Sequence, residues 1–150
     1  MATDKQAEDL QRYVKLKPTV DKTAGKYFTN MFEIHELWET LVKERFSSRE
    51  PRDQLWGLCQ KGMQLAWKWR SAELEQMQEL APPRDFPCYT RAIMLLEREE
   101  RFDEASVLCD QALHWTPESE WYIKKKNVLL KKDPAQLDPL PTKHGSDIVP

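Results

Sequence analysis

The stretch PCYTRAIMLLEREERFDEASVLCDQALHWTP, residues 87–117, constrains this chain more than any other. Tyr89, Ala92, Ile93 and Leu96 fall at i, i+3, i+4 and i+7, the spacing of one face of an α-helix. Ala105, Leu108, Cys109 and Ala112 repeat that spacing, so a second helix follows the first. The polar run Glu99-Glu100-Arg101 separates them, and Asp103 is the expected N-cap of the second helix. Pro117 lacks the N–H that a continuing helix needs, which sets the end. Small side chains at Ala92, Ala105 and Ala112 allow close approach of two antiparallel helices. The spacing therefore predicts an αα-hairpin in which Ala105 and Ala112 are buried.

The order aromatic, small, apolar, Leu, Phe, Ala, Ala, Pro in this stretch resembles a tetratricopeptide (TPR) repeat. Tyr89, Ala92, Ile93, Leu96, Phe102, Ala105, Ala112 and Pro117 carry the resemblance in frame. Ile93, Glu100 and Cys109 depart from it, standing where the family prefers a small residue, Gly and an aromatic. The segment 55–65, LWGLCQKGMQL, aligns with ASVLCDQALHW at 105–115 without gaps at an offset of 50. Upstream the offset becomes 51, placing Trp38 on Tyr89, Leu41 on Ala92 and Val42 on Ile93. Residues 27–66 are thus expected to form a second, degenerate TPR-like unit, and such units stack to share a core. The layout looks like that of small two-unit TPR-like proteins of bacteria.

Around these two units the chain divides by its helix signals. Leu10, Tyr13 and Val14 mark at most one short helix in residues 1–26, ending near Pro18, and this segment either docks or frays. VDKTAGK reads as a linker broken by Gly25. Phe28, Met31, Ile34 or His35, Trp38, Leu41, Val42 and Arg45 trace the next helix, with Thr29 or Asn30 as its cap. After Pro51, Leu55, Leu58, Cys59, Gly62, Met63 and Ala66 mark another. Leu74, Met77 and Leu80 or Ala81 form an inserted helix over 71–81 capped by Ser71, or a bent continuation of the helix before it. A last helix carries Trp121, Ile123 or Lys124, Val128 and Leu129 and ends on Lys131-Lys132. It serves as the polar-faced cap that solenoids require. Residues 133–150 are rich in proline and are expected to be a disordered tail. The expected fold is all-α: two TPR-like αα-hairpins, an inserted short helix and a C-terminal capping helix, in one domain over 27–132.

A formal charge of −2 over 150 residues gives no global attraction to nucleic acid or anionic membrane. Cys59, Cys88 and Cys109 are odd in number and suit buried free thiols in a reducing compartment. The opening MATDKQAEDLQ lacks the apolar core of a signal peptide, and no apolar run is long enough to span a membrane. The expectation is cytoplasmic.

Chemistry-bearing groups are sparse. His35, His114 and His144 lie far apart, no metal-ligand spacing occurs, and the four glycines are isolated, so no cofactor or metal is implied. An enzyme would have to use Cys88 or His35, and His35 reads better as a partly buried, hydrogen-bonded side chain. Lys124-Lys125-Lys126 and Lys131-Lys132 offer phosphate contacts without the exposed aromatics of a base-stacking surface, and the alternative function is a small regulatory subunit that touches nucleic acid through Lys124–Lys132. Trp67, Trp69 and Arg70 in WKWR either cover a helix junction or form an aromatic-cationic contact surface. The TPR resemblance implies a ligand groove on the first helix of each hairpin. Carried over in frame, it consists of Thr90, Met94, Glu97 and Arg98 with Glu36, Glu39, Lys43 and Phe46. Such a mixed-charge groove implies a protein or peptide partner rather than a polyanion.

Overall fold

The computed structural model describes residues 4–132, and the expectation for the proline-rich segment 133–150 lies outside them. The described residues are all-α. Helix α1 spans Asp4–Lys43, α2 Arg49–Met77, α3 Pro87–Arg98, α4 Phe102–Trp115 and α5 Glu120–Lys132. A 3₁₀ turn, Gln78–Leu80, finishes α2.

Helices α1 and α2 form a long antiparallel pair held by heptad spacing. Val20, Tyr27, Ile34 and Leu41 recur every seven residues on α1 and are all buried. Leu55, Gly62, Trp69 and Gln76 do the same on α2, flanked by a second buried series, Cys59, Ala66 and Glu73. A seven-residue repeat keeps one stripe of each helix facing its partner over many turns. The buried stripe of α1 passes through Tyr27 and Asn30, so Phe28 and Val42, expected on the inner face, are 43% and 51% exposed.

This pairing overrides three local signals. α1 runs uninterrupted through Pro18 and Gly25, so neither the helix end at Pro18 nor the linker VDKTAGK exists, and Thr29 and Asn30 cap nothing. The segment before Pro18 is held by tertiary bonds: Gln76 donates its amide to the Tyr13 carbonyl (3.0 Å), and Arg12 donates to the Gln76 carbonyl (3.3 Å). The carbonyl that Pro18 deprives of a helical donor belongs to Val14, which is 61% exposed and open to water. Likewise there is no inserted helix over 71–81: α2 continues through Ser71 to Met77, because Glu73 and Gln76 extend its buried stripe.

Helices α3 and α4 form the hairpin expected from residues 87–117. Tyr89, Ala92, Ile93 and Leu96 are buried, as are Ala105 and Ala112. α4 begins two residues earlier than expected, at Phe102 with Arg101 as its N-cap, so Asp103 lies in its first turn rather than at the cap. There its carboxylate still suits the positive end of the helix dipole. α5 packs on α4, and its buried residues are Tyr122 and Leu129.

Both hairpin turns close in the same way. The Phe46 N–H bonds the Leu41 carbonyl (2.8 Å) and the Arg45 N–H bonds that of Val42 (3.1 Å). Correspondingly, Arg101 N–H bonds Leu96 (2.9 Å) and Glu100 N–H bonds Glu97 (3.0 Å). This is the Schellman arrangement, with Arg45 (φ 55) and Glu100 (φ 60) left-handed where glycine is usual. The matched turns pair Leu41 with Leu96, an offset of 55 rather than 51. The first-helix alignment therefore slips by one helical turn, whereas Leu55, Cys59 and Gly62 do match Ala105, Cys109 and Ala112 in burial at offset 50. The hairpins are also unequal, 40 and 29 residues against 12 and 14, so two equivalent repeat units are not seen.

Candidate functional site

The C-terminal turns of α1 and the outer face of α3 enclose a cleft of about 600 Å³, lined by Trp38, Val42, Arg45, Phe46, Met94, Glu97 and Arg98. The Schellman turn builds one wall. By reversing the chain just after α1 it folds Phe46 back onto Trp38, edge to face at 5.2 Å. From α3, the Arg98 guanidinium lies 3.9 Å from the Phe46 ring centre and that of Arg91 4.5 Å from the Trp38 ring centre. These four side chains alternate cation and aromatic. Arg91 also lines a neighbouring cavity of about 320 Å³ with Met31, Phe32, Ile34, His35 and Pro87.

Glu97 is the acid of the cleft, and α5 offsets its charge. Lys125 bonds one carboxylate oxygen at 2.8 Å and Lys132 the other at 3.3 Å. Burial pushes the Glu97 carboxyl up, but the two lysines outweigh it and hold it below the ordinary range. Arg45 and Arg98 thus dominate the charge facing the opening.

Of the eight groove residues implied by the resemblance, Phe46, Met94, Glu97 and Arg98 line the cleft. Glu36, Glu39 and Lys43 are exposed outside its lining, Glu39 pairing with His35 at 3.2 Å. Thr90 shares a hydrogen bond with the Tyr122 hydroxyl (3.2 Å), tying α3 to α5. The slip of one turn does not by itself explain the misses on α1, because at an offset of 55 Glu39 and Lys43 still fall on Met94 and Arg98. Trp38, Val42 and Arg45 were assigned to the core face, and only the rotation of that face toward Tyr27 turns Val42 and Arg45 outward. Trp38 is buried and still forms part of the wall.

WKWR is not a contact surface. Trp69 is buried against Tyr27 and Phe86. Trp67 donates its indole N–H to the Tyr89 hydroxyl (3.1 Å) and packs edge-on to Trp115. Arg70 is 7% exposed and bonds Glu73 at 2.8 Å. Arg84 grips the same carboxylate at 2.6 Å while its guanidinium sits 4.9 Å from the Trp69 ring centre. Burial works against the charged Glu73, but bonds from Arg84 and Arg70 prevail and lower its pKa. The resulting triad ties the loop before α3 to α2, with Arg70 also reaching the Pro82 carbonyl. That loop leads into α3, whose Pro87 and Arg91 line the neighbouring cavity with Met31 and Ile34 of α1.

Cys88 and His35, the two candidates for chemistry, differ in exposure. Cys88 is buried, and burial pushes its thiol up to about 12. His35 is on the surface rather than partly buried, its side chain 58% exposed. Among the described residues no group of three His, Cys, Asp or Glu side chains gathers to hold a metal ion. The lysines of α5 are largely engaged by acids: Lys124 with Glu120, Lys125 and Lys132 with Glu97, and Lys126 with Asp110. Among the described residues no helix is long and apolar enough to cross a membrane.

No family model, curated protein or solved structure matches this chain. The cleft itself must therefore carry the functional argument.

Proposed function

We propose that this chain is a non-catalytic binding module that holds a segment of another protein or a peptide in the cleft between α1 and α3. The observation that carries the reading is the alternation of Arg98, Phe46, Trp38 and Arg91, the first three lining the cleft and Arg91 the cavity beside it. Aromatic rings and arginines supply most of the energy at protein interfaces, because they bury large area and direct hydrogen bonds with little loss of rotamer freedom. Met94 adds an adaptable apolar contact. The tetratricopeptide resemblance points the same way, since it too puts the groove on the first helix of each hairpin. Free, buried Cys59, Cys88 and Cys109 suit a reducing compartment such as the cytoplasm.

The nucleic-acid alternative is disfavoured by the α5 ion pairs. Each lysine already facing a carboxylate releases fewer counterions on meeting a phosphate. The test is the double variant Phe46→Ala, Arg98→Ala. Capture of the cellular partner, quantified by mass spectrometry, should fall at least tenfold while helicity and melting temperature stay near those of the parent. Undiminished capture would place the binding surface elsewhere.

A further inference from the structure

We infer that the partner segment is an acidic amphipathic α-helix, seated between α1 and α3 with two carboxylates seven residues apart on Arg91 and Arg98. The inference rests on the proposed binding role of the cleft and names the kind of partner that fills it. The pattern on the two walls is the first observation. Met31, His35, Trp38 and Val42 of α1 are spaced by four, three and four residues, and Pro87, Arg91, Met94 and Arg98 of α3 repeat that spacing. The first two of each set line the cavity of about 320 Å³ and the last two the cleft of about 600 Å³. Arg91 from the cavity lies over Trp38 from the cleft, so the two spaces adjoin. Spacing by four and three averages 3.5 residues per turn, which holds one stripe of a helix toward a neighbouring helix. The inner stripe of α1, Val20 to Leu41, already meets α2 in this way. The outer stripes of α1 and α3 are built to receive a third helix.

Charge is the second observation. Among the described residues, Arg45, Arg91 and Arg98 make no ion pair. Glu97, the acid beside them, is taken by Lys125 and Lys132. Arg91 is half-buried, and that burial pushes its pKa down, the mark of a cation short of a counter-charge. The groove therefore favours an acidic occupant. Seven residues of helix advance about 10.5 Å and return to the same face, so acids at i and i+7 of a helix lying along α3 match Arg91 and Arg98. An extended strand returns to one face every ~7 Å and falls out of step with them. Met94 stands between the two arginines, and with Trp38 and Phe46 it meets the apolar residues that such a helix carries between its acids.

The test uses the full chain and a phage-displayed library of random peptides of about 15 residues, four helical turns. Enriched sequences should carry Asp or Glu at i and i+7, with Leu, Met or Phe at i+3 or i+4. The strongest binder, labelled with fluorescein and followed by anisotropy, should bind at least tenfold more weakly with a central proline, which breaks a helix. Arg91→Glu with Arg98→Glu should weaken it as much, and the same peptide with both acids changed to lysine should bind that variant and not the parent. Arg98→Glu alone, at an exposed position, should give the same order of affinities if the double variant melts early. No enrichment, enrichment of neutral or basic peptides, indifference to proline, or a charge swap that restores nothing each overturns the inference. The two readings fail separately. Any of those results with partner capture still sensitive to Phe46→Ala, Arg98→Ala removes only the acidic helix. A successful charge swap with capture insensitive to that variant removes only the role of the cleft in holding the cellular partner.

Discussion

Gly57 and Gly62 lie five residues apart on α2, and replacing each with alanine should move stability in opposite directions. A Cβ built on Gly57 meets nothing within 4 Å. Gly57→Ala should therefore show only the helix-propensity gain of alanine over glycine, roughly 0.5–1 kcal/mol of stabilisation. At Gly62 a Cβ would land on the Asn30 side-chain oxygen and lie 2.8 Å from the Cys88 Cβ. The Asn30 amide donates to the Leu58 carbonyl (2.9 Å), so moving aside sacrifices a bond worth about 1 kcal/mol. Cys88 sits in the first turn of α3, and its Cβ moves only with backbone. Overpacking of this kind costs about 1–3 kcal/mol. After the propensity gain is subtracted and the lost bond added, Gly62→Ala should destabilise by about 1–3 kcal/mol. Urea unfolding followed by circular dichroism would measure both variants, with the midpoint rising for Gly57→Ala and falling for Gly62→Ala at unchanged m-value. Stabilisation by Gly62→Ala equal to that by Gly57→Ala would refute the close approach of α1, α2 and α3 at this point.

Three further outcomes follow from the same contacts. Glu73→Gln should cost about 3 kcal/mol by leaving Arg70 buried without its counter-charge. Because the folded Glu73 pKa lies below the ordinary 4.5, its stabilisation is complete above that pH and is lost as pH falls through the folded value. Acid unfolding followed by circular dichroism should show a shallower pH dependence in the glutamine variant, and an identical one would refute the linkage. Glu100→Gly relieves a left-handed residue and should raise the urea midpoint by the equivalent of about 1 kcal/mol; a lowered midpoint would mean that the turn does not require φ > 0. Burial pushes the Cys88 and Cys109 thiols up to about 12 and that of Cys59 well above its ordinary value. A thiol–disulfide reagent at pH 8 should accordingly react with none of them faster than the protein unfolds, and a rapid stoichiometric phase would contradict that burial.

The α3–α4 hairpin was legible because its signals are local and agree. Four apolar positions share a face on each helix, alanine stands at the close approaches, and Pro117 stops the second helix. Half the cleft was legible for the same reason: Met94, Glu97 and Arg98 lie opposite the buried stripe of α3. The α1 side was not, since Phe28 and Tyr27, or Val42 and Leu41, are adjacent residues of similar character. Only contact with α2 selects Tyr27 and Leu41 for burial.

By itself the sequence determined the helical class, the second hairpin with its buried alanines, and the burial pattern shared by Leu55, Cys59, Gly62 and Ala105, Cys109, Ala112. Periodicity decides these, because a helix needs only its own i, i+3 and i+4 neighbours to define a face. The tertiary structure alone decided that α1 crosses Pro18 and Gly25, that α2 absorbs residues 71–77, and that Arg70 and Glu73 lie inside. Each of these carries a local penalty, a lost backbone bond, a flexible residue or a desolvated charge. The compensation comes from residues far along the chain: Gln76 for the turn before Pro18, the long α2 stripe for α1, and Arg84 for Glu73. A local reading registers the penalty and cannot see the partner that offsets it.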